Sequence, residues 1–246
     1  MSTHYKSLTK RTNPEIIPIF PLNGTVLLPA CDLPLNIFEP RYLNMIDDAL
    51  KSDRLIGMIQ LADNPQAKEE TNISSGQPGL VKIGGLGRII QFSETEDGRY
   101  LIVLKGLKRF HYLEDVTAKT PYRCARVSFE GFEEDAACHT GKHMPSALSG
   151  GSNNDRAALT LAMKSFAKAL GVKVDWKSLA EIPMANLVDQ AAMISPFKPA
   201  DKQSLLEALG SDERRRLLIG LMHLYATNPG DRHNSDQDSN PQRPLQ

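Results

Sequence analysis

The stretch Leu33-Pro34-Leu35-Asn36-Ile37-Phe38-Glu39-Pro40-Arg41-Tyr42 decides the fold. Up to Phe38 the apolar residues come in short runs punctuated by proline. A charged Glu-Pro-Arg-Tyr step follows, and beyond it the apolar period becomes helical. Pro40 suits the first position of a helix, where its missing N–H costs nothing. Glu39 then lies at the positive end of that helix, a favourable place for a carboxylate. Leu43, Ile46, Ala49 and Leu50 predict its buried face, with Asn44, Asp47, Asp48 and Lys51 opposite. From Leu55 to Leu61 the chain returns to an apolar run, read as a buried strand. The stretch is a strand-to-helix junction inside a β-rich region.

Outward from it, Ile16 to Phe20 reads as a strand whose Pro18 suggests an edge position or a bulge. Asn23-Gly24 is turn chemistry, and Val26-Leu27-Leu28 reads as a further short strand. On the other side, Leu80 to Glu94 is a long strand interrupted by Gly84-Gly85-Leu86-Gly87, which marks a bulge, a bend or a close approach of another backbone. Asp97-Gly98 predicts a hairpin turn. Tyr100 to Leu104, a break at Gly106, then Phe110 to Val116 and Tyr122 to Phe129 complete an antiparallel series.

Residues 16–130 are therefore expected to form a β domain with one inserted helix, and 131–154, rich in Gly, Ser, Asn and His, a flexible linker. From 155 to 227 the period is helical. Leu159, Ala162, Met163, Phe166, Ala169 and Leu170 line one face, and a short helix carries Trp176. Pro183 and Pro199 open helices, and Ser211 is placed as the N-cap of the last one. Residues 1–15 and 228–246 are polar and expected to be disordered. The fold class is α+β.

Equal numbers of basic and acidic residues, 29 of each, give no global field to attract nucleic acid or an anionic membrane. No run approaches the ~20 apolar residues of a membrane span, and the N-terminus lacks the apolar core of a signal peptide. Cys31, Cys124 and Cys138 are odd in number and far apart, which predicts reduced thiols and a cytoplasmic location.

Candidate chemistry resolves mostly into structure. Glu39 is read as a helix cap, with Arg41 and Tyr42 tying that helix to the barrel. Arg88 and Arg109 are assigned structural pairings, with Glu39 or a carbonyl, over an anion site. Cys138-His139 with His143 falls short of the three or four ligands of a zinc site. His111, alone on its strand, is expected to be a hydrogen-bonded structural residue. Cys31 and Cys124 are read as small buried apolar groups. Gly84, Gly85 and Gly87 lack dinucleotide spacing. Arg214-Arg215-Arg216 is read as the solvated face of the last helix. No catalytic, cofactor-binding or metal-ligating residue is assigned.

The sequence resembles the N-terminal, substrate-binding domain of the Lon protease family. Ile17-Pro18-Ile19-Phe20-Pro21-Leu22, Val26-Leu27-Leu28-Pro29 and Leu33 to Tyr42 carry the likeness, followed by Gly85-Leu86-Gly87-Arg88-Ile89, Gly98-Arg99-Tyr100, Gly106-Leu107-Lys108-Arg109-Phe110 and Lys202 to Glu207. The resemblance implies a PUA-like pseudo-barrel of mixed strands followed by a helical bundle. Its fold-specifying residues are Phe38, Glu39, Pro40, Arg41, Tyr42, Gly87, Arg88, Gly106, Arg109 and Phe110.

No G-x-x-x-x-G-K-[ST] loop occurs in the sequence, and no recognisable Ser-Lys peptidase segment. The expectation is a stand-alone, non-catalytic module that binds unfolded polypeptide or a protein partner. Exposed apolar surface, proline-interrupted sheet edges and the groove between barrel and bundle are the candidate surfaces. An alternative is RNA or small-ligand binding on a basic patch of Lys82, Arg88, Lys105, Lys108 and Arg109, which predicts a steep salt dependence. A third reading, an energy-dependent peptidase, requires the missing segments.

Overall fold

A computed structural model describes residues 13–62, 78–133, 135 and 153–227. Six strands, β1 (Ile16–Pro21), β2 (Asp32–Ile37), β3 (Leu55–Ile59), β4 (Ile83–Glu94), β5 (Tyr100–Val116) and β6 (Cys124–Ser128), form one sheet in the order β2-β5-β4-β3-β1-β6. A further pairing of β5 with β6 closes the sheet on itself. Helix α1 (Pro40–Leu50) is inserted between β2 and β3. Helices α2 (Asn153–Leu170), α3 (Trp176–Glu181), α4 (Met184–Ile194), α5 (Pro199–Glu207) and α6 (Ser211–Thr227) follow the barrel. The fold is α+β.

Pro18 is not on an edge strand. The first half of β1 pairs antiparallel with β6 and the second half pairs parallel with β3. The β3 ladder begins only at Ile19, so Pro18 precedes the residues that need a donor on that side. The edge is β2, and Pro34 lies on it. Gly106 does not break its strand, because β5 runs unbroken for 17 residues through it.

The segment expected as a strand at Val26-Leu27-Leu28 is irregular, and it joins the two halves of the molecule. Its backbone crosses β4 and β5 where those strands have no Cβ. A Cβ added to Gly85 would run into the Leu27 carbonyl oxygen, and one on Gly106 into that of Leu28. The crossing is fixed by Ala30 N–H donating to Gly106 O at 3.0 Å and Gly106 N–H donating to Cys31 O at 2.8 Å. Ala30 takes a left-handed φ of 61° to make the turn. Leu27 packs in the cluster under α1, whereas Val26, Leu28 and Cys31 pack with Leu159, Phe166 and Leu206 of the bundle. A third cluster, around Ile17, Ile19, Leu86 and Phe110, is separate from both.

Three helical expectations shift. The buried residues of α1 are Tyr42, Met45, Ile46 and Ala49, so its inner face is rotated from the one expected, and Leu43 and Leu50 are only partly buried. In α2, Leu159, Ala162, Phe166 and Ala167 are buried. Gly210 rather than Ser211 precedes α6, its carbonyl accepting from Arg214 N–H at 3.0 Å. Glu15, expected to be disordered, is instead ordered, its carbonyl accepting from Val127 N–H at 2.9 Å, while residues 1–12 lie outside the described residues.

The segment 131–154 does not start as a linker. Phe132 and Asp135 are buried, with Phe132 stacked on His111 at 4.7 Å. Residues 134 and 136–152, including Cys138, His139 and His143, lie outside the described residues, as does the expected tail, and α2 already begins at Asn153.

Candidate functional site

The junction motif is half surface and half core. Phe38 is 64% exposed at the end of β2. Glu39 occupies the N-cap position of α1, but its carboxylate makes no cap hydrogen bond. It accepts instead from Arg41, at 2.9 Å from Nε and 2.7 Å from Nη2, with both side chains about half exposed. Arg41 therefore pairs sideways on the surface and does not tie the helix inward. Only Tyr42 turns in, its ring 4.2 Å from that of Phe20 and beneath the Arg41 guanidinium at 4.6 Å.

The second arginine motif is internal. Arg109 is 5% exposed and bonds Asp135 through Nε at 2.8 Å and Nη2 at 2.9 Å. Its Nη1 donates to the carbonyls of Leu206 and Ala208 at 3.1 and 2.7 Å, supplying the end of α5 with donors it lacks. Arg214 reaches the same helix end, from Nε to Leu205 O at 2.8 Å, and pairs with Asp189 at 2.8 Å. Arg215 is also buried, held by Asp155 and Asp212. The run expected on a solvated face thus points inward at two of its three positions, because the helix ends and carboxylates it meets are internal.

The cations of the alternative basic patch do not share one surface. Arg109 is spent on Asp135. Lys108 is buried, its ammonium over the Phe129 ring at 4.2 Å and against Asn13, and burial pushes its pKa down. Lys105 pairs with Asp32 at 2.9 Å. Arg88 lies opposite Lys105 across the β4–β5 ladder, away from Glu39, and Lys82 is exposed. A row Asp32–Lys105–Arg88 results on one face of the sheet.

That row borders the surface most suited to binding. Register places Pro34, Val103 and Gln91 in the next row, and Asn36, Leu101 and Ser93 in the one after. The opposite face of the same strands carries Ile102, Leu104, Ile37 and Ile89, all in the core. Tyr100-Leu101-Ile102-Val103-Leu104 is therefore apolar on both faces, the pattern of a strand covered on both sides. Yet Leu101 is 46% exposed, and its face holds a depression of about 540 Å³. A bulge at Ile89/Gln91 leaves Ile90 exposed nearby, while Phe92 falls in the row of Ile102 on the other face, against Tyr100. Beside this face runs the open edge of β2.

A family model described as the ATP-dependent protease La (LON) substrate-binding domain matches residues 16–223. The chain belongs to the LON substrate-binding domain family.

Lon protease 2 of Myxococcus xanthus is 25% identical over 228 residues, covering 88% of this chain and 24% of the relative. Lon protease of Flavobacterium johnsoniae is 31% identical over 114 residues, 46% of this chain and 13% of its own. The chain thus spans about a quarter or less of the Lon proteases it matches. Among solved structures, the Lon N-terminal domain protein from Xanthomonas campestris superposes with a TM-score of 0.55 at 20% identity, covering 83% of this chain and 97% of that one. The N-terminal domain of the Mycobacterium avium complex Lon protease gives 0.55 at 17% identity, covering 85% and 98%. These two likenesses concern the fold.

The polar partners of the arginines, Asp135 and Asp189, carried no signal in the sequence. The doubly apolar run at 100–104 did carry one, since a strand facing water on one side would alternate.

Proposed function

We propose that this Lon-type domain is a non-catalytic module that captures unfolded or flexible polypeptide in cytoplasmic protein quality control, on the open face of β2–β5–β4. The observation that carries it is the exposure of Leu101, with Val103 beside it only half-buried, on a strand whose other face is already core. An apolar strand face rimmed by Asn36, Gln91, Ser93 and the Asp32–Lys105–Arg88 row offers burial to side chains of many shapes. The β2 edge adds backbone hydrogen bonding, broken at Pro34, which has no N–H to give. An interrupted edge discourages permanent strand addition while leaving room for short, sequence-tolerant contacts.

No phosphate loop and no Ser-Lys peptidase segment is present in the 246 residues to turn captured polypeptide into product. Purified protein is expected to hydrolyse neither ATP nor casein. It should retain a chemically denatured protein at both low and high salt, because the contact is apolar. Retention of RNA in place of polypeptide, lost steeply as salt rises, would sink this reading in favour of nucleic-acid binding.

A further inference from the structure

The bundle carries a second concavity, distinct from the sheet face. Between α2 and α3 lies a groove of about 600 Å³ whose lining includes Leu161, Met163 and Lys164 of α2, Trp176 of α3 and Leu187 of α4. Leu161 is 63% exposed on its rim. Helix α3 has no buried residue of its own. It is pinned at its ends instead. Asp175 accepts from the N–H groups of Lys177 and Ser178 at 3.0 and 3.4 Å. At the other end, Arg156 Nη2 donates to the carbonyls of Leu179, Ala180 and Ile182 at 3.0, 2.7 and 2.9 Å. The helix is thus held by its polar ends and by Leu179, half-buried against the bundle core, beside an apolar space that remains open.

Among the described residues, the charged side chains in the groove lining are Arg156 and Lys164, both basic. Arg156 is engaged with the three carbonyls. The Lys164 ammonium is 5.7 Å from the Trp176 ring centroid, a weak contact that a carboxylate would outbid.

We propose that this groove is a docking site for a peptide segment bearing a large apolar side chain next to a carboxylate. The apolar group lies between Trp176 and Leu161, over Met163 and Leu187, and the carboxylate pairs with Lys164. The inference rests on the polypeptide-binding reading but not on the sheet face. It gives the domain a preference for acidic-apolar segments that the sheet face, bordered by both signs of charge, does not supply.

The chain has a single tryptophan, so its fluorescence reports this groove alone. The test titrates the full chain with a short peptide of about ten residues carrying Phe beside Glu, and with its Phe-Lys counterpart. The acidic peptide should shift Trp176 emission saturably and bind about fivefold tighter than the basic one, a ratio set by one exposed ion pair. Lys164→Glu should reverse the preference, and Leu161→Ala should weaken both peptides while leaving the far-UV dichroism unchanged. Equal affinities, or a preference that survives Lys164→Glu, would overturn the proposal. Leu101→Asp should leave this titration intact. If the groove fails its test while Leu101→Asp still abolishes capture of denatured protein, only the groove assignment falls.

Discussion

Arg109 of β5 grips both carboxylate oxygens of Asp135, at 2.8 and 2.9 Å, while its remaining nitrogen holds the last carbonyls of α5. One guanidinium therefore joins the barrel, the segment after it and the helical bundle. All three partners are removed from water. A charge in that position destabilises when its partner is deleted, because the survivor stays buried and unpaired.

Arg109→Ala is accordingly expected to cost about 3–5 kcal/mol in urea unfolding, and Arg109→Lys to recover little, since an ammonium cannot match the fork geometry. Combining Arg109→Met with Asp135→Leu should regain most of the loss. A loss below about 1 kcal/mol for Arg109→Ala would show the pair to be incidental.

The crossing of Leu27-Leu28 over β4 and β5 depends on Gly85 and Gly106, where an added methyl meets backbone oxygen. Gly85→Ala and Gly106→Ala should each destabilise by about 1–3 kcal/mol, because a hydrogen-bonded backbone has to move. At Gly87 the nearest atom is the end of the Leu27 side chain, which can turn aside. Gly87→Ala should therefore lower the melting temperature least of the three.

Burial pushes the Cys31 thiol up to about 12, with Asp189 adding to the shift. Folding thus favours its protonated form. The contribution is fully present below the ordinary thiol value and is lost as pH rises from about 9 toward 12, at up to about 1.4 kcal/mol per pH unit. Denaturant midpoints should fall across that window and fall less in Cys31→Ala. At pH 8 Cys31 should resist a thiol reagent until the protein is unfolded.

Burial also raises the Asp189 carboxyl, against the pull of Arg214. Its protonated form is favoured in the fold, so this stability is present at acid pH and is lost as pH rises through the raised value. Asp189→Asn is then expected to be tolerated better at neutral pH than Arg214→Ala. The latter strands both the carboxylate and the Leu205 carbonyl. Equal losses in the two variants would contradict this ordering.

Local signals led directly to local structure. Pro40 opens a helix, Asp97-Gly98 turns a hairpin, and the apolar spacings on α1 and α2 placed two buried faces to within a residue or two. The glycines of β4 were legible as a place of unusual backbone approach, but the sequence did not say which backbone would arrive. That required knowing that Leu27 and Leu28 cross instead of pairing. Pro18 shows the same limit, since one proline cannot distinguish an edge from a strand that changes partners midway. The inward turn of the arginine run at 214–216 is not legible in the sequence because its partners, Asp155, Asp189 and the end of α5, are distant along the chain. Asp135 looked like linker composition for the same reason. The proposed binding face is half legible in the doubly apolar stretch at 100–104, whose second face has no core to join.

The most direct test of the central claim compares the wild-type chain with a Leu101→Asp, Val103→Asp double variant for retention of a chemically denatured protein. Dichroism and unfolding midpoints should match, since neither side chain belongs to the core clusters. The account predicts that the variant folds normally and loses most of its capture. A folded variant that captures denatured protein as well as the wild type would contradict it.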